Sequence, residues 1–160
     1  KLSAKRNHIN YFLRNNQWSF EPLTLNNLAE CREMNQAWYK TRDLETDQQL
    51  AQECLVVRRF FEHFAELGLE GGLLRSSGKI VAYTMGSRLN AHTFDIHVEK
   101  AFGEIRGAYQ MINREFARLI QAEIIWVNRE DDQGHLGIRR AKLSYAPIRI
   151  EQKYLGKFKG

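Results

Sequence analysis

Two titratable side chains, His97 and Glu99, are the best candidates in this sequence for proton transfer. Histidine changes its charge near neutral pH, as a general base must when it removes a proton from an attacking amine or hydroxyl. Apolar and polar residues alternate strictly from position 93 to 99, which is the pattern of a half-buried strand. The pattern predicts one polar face that carries Thr93, Asp95, His97 and Glu99.

On that face Glu99 would fix the tautomer of His97 or favour its protonated form. We expect the pair to line a cleft bounded by the start of the next helix and by the loop at Asn128. The alternative is that both side chains are hydrogen-bonded polar groups that fix strand register. The sequence shows no Ser-His-Asp or Cys-His spacing and no metal-ligand cluster.

After Gly103 the apolar residues recur at helical spacing, which predicts a helix from Arg106 or Gly107 to about residue 121. The N-terminus of a helix offers free amide donors and a positive dipole end to an anion. Arg106, Gly107 and Ala108 are therefore the candidate anion-binding loop. Tyr109 and Asn113 follow as a candidate acid or substrate anchor, although Tyr109 also fits the apolar stripe.

A short basic helix is predicted between residues 136 and 143. This helix would contact phosphates, such as those of a tRNA 3′ end or a phospholipid headgroup, through Arg139, Arg140 and Lys142. The alternative is a solvated basic face. In the preceding loop, Asp131 and Asp132 either orient an amine or cap the helix.

Composition limits the class of protein. A chain of 160 residues with 43% hydrophobic residues is long enough for one core, so we predict a single domain over residues 1–160. The net charge of +5 suits a polyanionic partner. No apolar run reaches the roughly 20 residues that a membrane span needs. The two cysteines have neither disulfide-scaffold nor zinc spacing, which favours the cytoplasm.

The predicted elements alternate in an α+β pattern with a mixed, mostly antiparallel sheet. After a helix within residues 1–16 come a strand at 18–23, helices at 24–38 and 46–67, and strands at 71–75, 79–89 and 93–100. The helix at 106–121 leads to a strand at 124–127, a basic helix, and a last strand at 148–154. Four successive apolar residues, Ile124 to Val127, predict a central strand that is buried on both faces.

This order resembles the Gcn5-related N-acetyltransferase fold over nearly the whole chain. In that fold a loop of the form Arg/Gln-x-x-Gly-x-Gly/Ala binds the pyrophosphate of coenzyme A. The aligned residues here are Gly103 to Ala108, of which Ala108 alone fits the pattern cleanly, and Glu104 adds a carboxylate. Coenzyme A is therefore kept as an alternative cofactor.

The C-terminal third, from Asn128-Arg129-Glu130 through Ser144-Tyr145-Ala146-Pro147, looks like the C-terminal domain of phosphatidylglycerol lysyltransferases and of uncharacterised proteins grouped with them. That resemblance implies an acyltransferase domain, the second of a tandem pair, with aminoacyl-tRNA or a similar donor and an unknown acceptor. The helix at residues 1–16 would link it to a preceding homologous domain. The candidate substrate-binding residues are Tyr109, Asn113, Asn128, Arg129, Arg139, Lys142 and Tyr145.

Two other functions stay open. One is a coenzyme A-dependent N-acetyltransferase. The other is a non-catalytic module that binds tRNA or a lipid headgroup.

Overall fold

The computed structural model describes residues 2–132, 134–152, 154 and 156–158. They form two compact units, one of residues 3–130 and one of Leu2 with the described residues from Asp131 onward. The helices of the first unit are α1 (Ser3–Asn15), α2 (Leu28–Lys40), α3 (Gln48–Glu62) and α4 (Ala108–Ile120). Its strands are β1 (Trp18–Pro22), β2 (Glu70–Ser76), β3 (Lys79–Asn90), β4 (Thr93–Ala101) and β5 (Trp126–Asn128).

The five strands form one sheet in the order β1-β2-β3-β4-β5. The first four are antiparallel neighbours, and β5 lies parallel to β4. Pro22 is the last residue of β1, which is an edge strand of the sheet. Proline has no backbone N–H to donate, and an edge strand tolerates this because only one of its two sides is paired. The prediction of an α+β protein with a mixed, mostly antiparallel sheet is confirmed.

Helices cover both faces of the sheet. Trp38 of α2 and Phe61 of α3 pack with Tyr83 and Val98 in the core on one face. On the other face, Phe12 of α1 and residues of α4 pack against β2 and β3. Burial of these apolar surfaces is the main stabilising contribution and fixes which side of each strand faces which helix pair.

A β-bulge interrupts the pairing of β3 with β4 at the candidate base. Met85 pairs with Val98 while Gly86 pairs with Ile96, so His97 is an extra residue on β4. The bulge reverses the side-chain alternation beyond it. His97 therefore lies beside Phe60 of α3, whereas Glu99 is bonded to Asn113 of α4.

The prediction that His97 and Glu99 share one face is therefore wrong. Burial does alternate along β4 as expected. However, both faces of this sheet are covered, so burial alone cannot reveal a residue that is inserted into the register.

Gly86 should be essential to this bulge. A Cβ atom there would lie 1.9 Å from the carbonyl oxygen of Asp95 and 2.6 Å from the ring of Phe94. We expect Gly86→Ala to lower the free energy of unfolding by about 3 kcal/mol, because backbone would have to move. Chemical denaturation measures this. Gly103→Ala is the matched control, since its Cβ would meet nothing within 4 Å; an equal loss in both variants would contradict the prediction.

β5 differs from its prediction. Ile124 is buried against Phe116 and Ile120. Ile125 is 68% exposed and Trp126 is 50% exposed, and β5 is an edge strand of the described sheet. The predicted central strand, buried on both faces, is wrong, because a short apolar run does not tell an inner strand from an edge strand.

The described residues of the second unit form one helix, α5 (Leu136–Leu143), none of whose residues is buried. The predicted basic helix is thus confirmed. The predicted last strand is wrong for the described residues: positions 148–152 and 154 are not in a strand, and Ile148 and Ile150 are exposed. The rest of that prediction, Lys153, lies outside the described residues.

Candidate active site

His97 contacts a hydroxyl and a carboxylate through its two ring nitrogens. Nε2 lies 2.9 Å from Oγ of Ser87, and Nδ1 lies 2.8 Å from Oε1 of Glu130. The ring of Phe60 lies 5.5 Å away, centroid to centroid. A carboxylate can only accept from the imidazole, so Glu130 favours the tautomer whose Nδ1 carries hydrogen and whose Nε2 accepts the Ser87 hydroxyl proton.

Glu130 reaches His97 from a strained backbone position. Its φ of 53° is positive, a conformation that few residues other than glycine adopt. Its backbone N–H donates to Oδ1 of Asn128 over 3.1 Å, which holds the turn. Strain of this kind persists only where the surroundings enforce it, and it is frequent at functional sites.

Asp95 completes a cluster around the imidazole. Its Oδ2 lies 3.9 Å from Nδ1 of His97, and ligand atoms of Asp95, His97 and Glu130 all lie within 4.8 Å of one another. One imidazole and two carboxylates form a donor set that fits a divalent cation. The sequence search for metal-ligand spacing missed this group, because Glu130 is far from His97 along the chain.

Glu99 belongs to a different cluster. Its carboxylate accepts from Nη2 of Arg129 at 2.8 Å and from Nδ2 of Asn113 at 3.3 Å. Lys5 of α1 lies near both charges, and its pKa is lowered by burial and by Arg129, against the opposing effect of Glu99. The carboxylate that contacts His97 is thus Glu130, while Glu99 positions Arg129.

The two clusters lie on opposite faces of the sheet, beside the end of the β4–β5 ladder. The β4–β5 ladder ends at the pair Asp95 and Asn128, and the described pairing includes no β5 partner for the residues of β4 beyond it. Arg129 and Glu130 follow immediately and bond to Glu99 and His97, respectively.

The predicted anion-binding loop lies against α1. Gly107 has φ 92° at the N-cap of α4, and a Cβ there would lie 2.4 Å from the carbonyl oxygen of His8. The guanidinium of Arg106 lies 4.3 Å from the ring centroid of Tyr11 in α1. Tyr109 is half-buried, and burial raises the pKa of its phenol, which keeps it protonated as a proton donor must be.

A cavity of about 610 Å³ lies between α2 and α3. Its lining includes Tyr39, Cys54 and Phe61, with Arg32 and Arg58 among its charged residues. Neither His97 nor Glu99 lines this cavity, so the cleft expected at those two residues stays a prediction.

The predicted phosphate-binding residues Arg139 and Lys142 form hydrogen bonds to other residues of the second unit. Arg139 donates to Asp132 at 2.6 and 3.1 Å, and Nζ of Lys142 donates to the carbonyl oxygen of Asp131 at 2.6 Å. The Arg139 guanidinium holds the pKa of Asp132 below its usual range. The N-cap of α5 is His135, so Asp132 is not the cap, although its Oδ1 accepts from the N–H of Gly134. Tyr145 is half-buried just beyond the helix.

Solved structures with low sequence identity share the fold of this chain. A ribosomal-protein-alanine N-acetyltransferase from Brucella melitensis biovar Abortus 2308 has a TM-score of 0.62 with 11% identity, over 88% of this chain and 99% of that one. Similarity at this identity shows the fold alone, which is that of the Gcn5-related N-acetyltransferases.

The chain belongs to the family described as phosphatidylglycerol lysyltransferase, C-terminal, whose model matches residues 1–157. A conserved protein of unknown function from Bacteroides thetaiotaomicron VPI-5482 is 42% identical with a TM-score of 0.87, over 92% of this chain and 50% of that one. An uncharacterized protein of Mycoplasmoides gallisepticum is 25% identical over 158 residues, 98% of this chain and 50% of its own length. The chain thus spans about half the length of both relatives.

No helix within the described residues is both long enough and apolar enough to cross a membrane.

Proposed function

We propose that this domain transfers an aminoacyl group from aminoacyl-tRNA, or a similar ester donor, to an acceptor, with His97 as the general base. One observation supports this more than any other: Nδ1 of His97 is bonded to Glu130 while Nε2 faces a hydroxyl, beside the end of the β4–β5 ladder. A base oriented in this way is ready to accept a proton at Nε2.

In the proposed reaction, the nucleophile attacks the ester carbonyl carbon and its proton passes to Nε2 of His97. The ester C–O bond then breaks, and the ribose hydroxyl leaves with a proton from the imidazolium. Negative charge on Glu130 stabilises the imidazolium between these two steps. Neutral Tyr109 is the alternative proton donor to the leaving oxygen.

An RNA donor is favoured over coenzyme A by the start of α4. The close contact of Gly107 with His8 places α1 against the loop that binds pyrophosphate in the fold family. Glu104, exposed in the same loop, would repel a phosphate. The likeness of the fold to an N-acetyltransferase is the observation that keeps coenzyme A as the second candidate.

We also propose that the domain acts as the second half of a tandem pair in the cytoplasm. Both relatives are about twice as long as this chain, which supports the pairing. In such a pair α1 would be the connection to the preceding domain.

The test is single-turnover release of a radiolabelled amino acid from purified aminoacyl-tRNA, with anionic phospholipid vesicles or water as acceptor. Enzyme-dependent release that requires His97 supports the proposal. Acetyl transfer from acetyl-coenzyme A with no release from aminoacyl-tRNA would replace it by the second candidate. Saturable binding of tRNA or vesicles without turnover would show that the domain is a non-catalytic binding module.

Arg139 and Lys142 are proposed to contact phosphates of the donor. Replacing both by glutamine should reduce the slope of log affinity against log salt by roughly one for each lost contact, because fewer counterions are released on binding. Filter binding of tRNA over a salt series measures this. Thermal stability should stay nearly unchanged, since α5 has no buried residue.

Asp132→Asn is the matched variant for that experiment, because it removes the carboxylate that pairs with Arg139. It should strengthen tRNA binding. An unaltered salt slope in the double variant, or weaker binding with Asp132→Asn, would show that these charges are only a solvated face.

A further inference from the structure

We infer that Ser87 is a covalent nucleophile, which forms an acyl-serine with the donor before the acceptor reacts. The inference rests on the proposed function and adds a second catalytic residue to it. Ser87, His97 and Glu130 form a nucleophile, base and orienting acid, with heavy-atom distances of 2.9 and 2.8 Å. Both distances lie within the range that an activated nucleophile needs.

The backbone supports this arrangement from three directions. Ser87 follows Gly86 at the bulge and is paired with Asp95 on β4. His97 is the bulged residue itself, which turns its ring toward β3 rather than toward α4. Glu130 approaches from beyond β5 in a strained conformation. Two separate backbone irregularities, the bulge and the positive φ of Glu130, thus converge on one hydrogen-bonded line, which a merely structural serine would not require.

The surroundings suit a protected but reachable nucleophile. Ser87 is half-buried, and the side chain of His97 is 20% exposed. Phe60 lies against the imidazole and excludes water from one side. The bond from Nδ1 to Glu130, whose side chain is 37% exposed, orients the imidazole ring.

The proposed steps balance as follows. Oγ of Ser87 attacks the carbonyl carbon of an acyl ester while its proton passes to Nε2 of His97. The tetrahedral intermediate collapses, the ester C–O bond breaks, and the alcohol leaves with the proton from Nε2. An acceptor amine, or water, then attacks the acyl-serine, loses its proton to Nε2, and releases Ser87, which takes that proton back. No oxidant, reductant or metal is required.

A divalent cation is the competing use of the same residues. Asp95 and Glu130 would then hold the metal together with Nδ1 of His97, and Ser87 would be a hydrogen-bond partner of the imidazole. In that case a chelator should abolish activity, and serine-directed reagents should leave the protein unlabelled.

The test treats the chain with a fluorophosphonate and, separately, with p-nitrophenyl acetate followed by an acid quench. Tandem mass spectrometry then locates the adduct. We expect one adduct, on Ser87, whose formation slows about 10²-fold or more in His97→Gln and is insensitive to EDTA. Ser87→Ala should remove the adduct, whereas Ser19→Ala, at an exposed strand position, should leave it unchanged.

An adduct on another residue, no adduct, or loss of activity with EDTA would overturn the inference. The localisation uses the unaltered chain, so it stands even if Ser87→Ala fails to fold. Near-normal aminoacyl transfer by a folded Ser87→Ala would overturn the covalent role while the proposed function remained. No transfer by the unaltered chain, together with an adduct on Ser87, would overturn the proposed function and keep the nucleophile.

Discussion

Replacing His97 by glutamine is expected to lower the turnover of acyl transfer about 10²- to 10⁴-fold, the usual contribution of a positioned general base. Glutamine keeps a side chain that can bond to Ser87 or Glu130 but has no basic nitrogen. The loss should therefore appear in kcat more than in KM. Single-turnover kinetics under saturating donor measure it.

The protein contains a matched control pair. Nδ1 of His63 lies 2.8 Å from Oε2 of Glu66, the same distance that joins His97 to Glu130. That pair is exposed, with side-chain exposures of 41% and 77%. His63→Gln should leave turnover unchanged. A loss of less than tenfold in His97→Gln, or an equal loss in His63→Gln, would remove His97 from the mechanism.

Glu130→Gln tests how much the charge of Glu130 contributes to catalysis by His97. The variant removes the charge that stabilises the imidazolium and allows the wrong tautomer, so we expect a smaller loss than in His97→Gln. Residues that act as a unit are strongly non-additive. Glu130→Gln should accordingly cause no further loss in a His97→Gln background, and an additive loss would show that Glu130 acts elsewhere.

The largest expected effect on stability concerns Lys100 and Glu53. Lys100 is buried beneath α2, where its Nζ lies 4.1 Å from the ring centroid of Trp38 and donates to Oε1 of Glu53. The Tyr39 hydroxyl donates to the same oxygen at 3.0 Å. Glu53→Gln would leave a buried ammonium without its counter-charge, and we expect the free energy of unfolding to fall by about 2 kcal/mol at neutral pH.

The pH dependence of that loss has a defined sign. Burial lowers the pKa of Lys100 below its ordinary value of 10.5, and Glu53 opposes part of this lowering. Between the lowered pKa and 10.5 the unfolded chain binds more protons than the folded chain, so stability rises with pH in that window. In Glu53→Gln the pKa of Lys100 falls further, so the pH range over which stability rises extends to lower pH.

The deficit of Glu53→Gln should therefore shrink as the pH is raised, which urea denaturation over a pH series can measure. Lys100→Met in the Glu53→Gln background should recover stability at neutral pH, because no buried charge remains. Glu62→Gln is the surface control, since its ion pair with Arg58 at 3.6 Å is largely exposed. A deficit that is constant with pH would show that Lys100 is not its cause.

The arrangement of helices and strands could be predicted because each element carries its own periodicity. The helix after Gly103, the three consecutive antiparallel strands and the basic helix near Arg139 were predicted close to their observed positions. His97 could be chosen from the sequence for its residue type and its place on a strand. Ser87 was out of reach of the same reasoning: counting back from the turn at residues 91–92 brings it opposite Ile96, and a register shift between Arg88 and Asn90 places it opposite Asp95 instead.

The tertiary structure alone decided which groups contact His97. A single bulged residue moved Glu99 to the opposite face of the sheet, and local alternation contains no signal for an insertion that only the partner strand defines. Glu130 took the place expected of Glu99 because the chain turns back after β5 with a positive φ, 33 residues after His97. The sequence by itself thus determined most of the elements, the family and the candidate base, since these depend on local pattern and residue type. The partners of that base depend on strand register and on a non-local return of the chain, which are fixed only when the sheet is assembled.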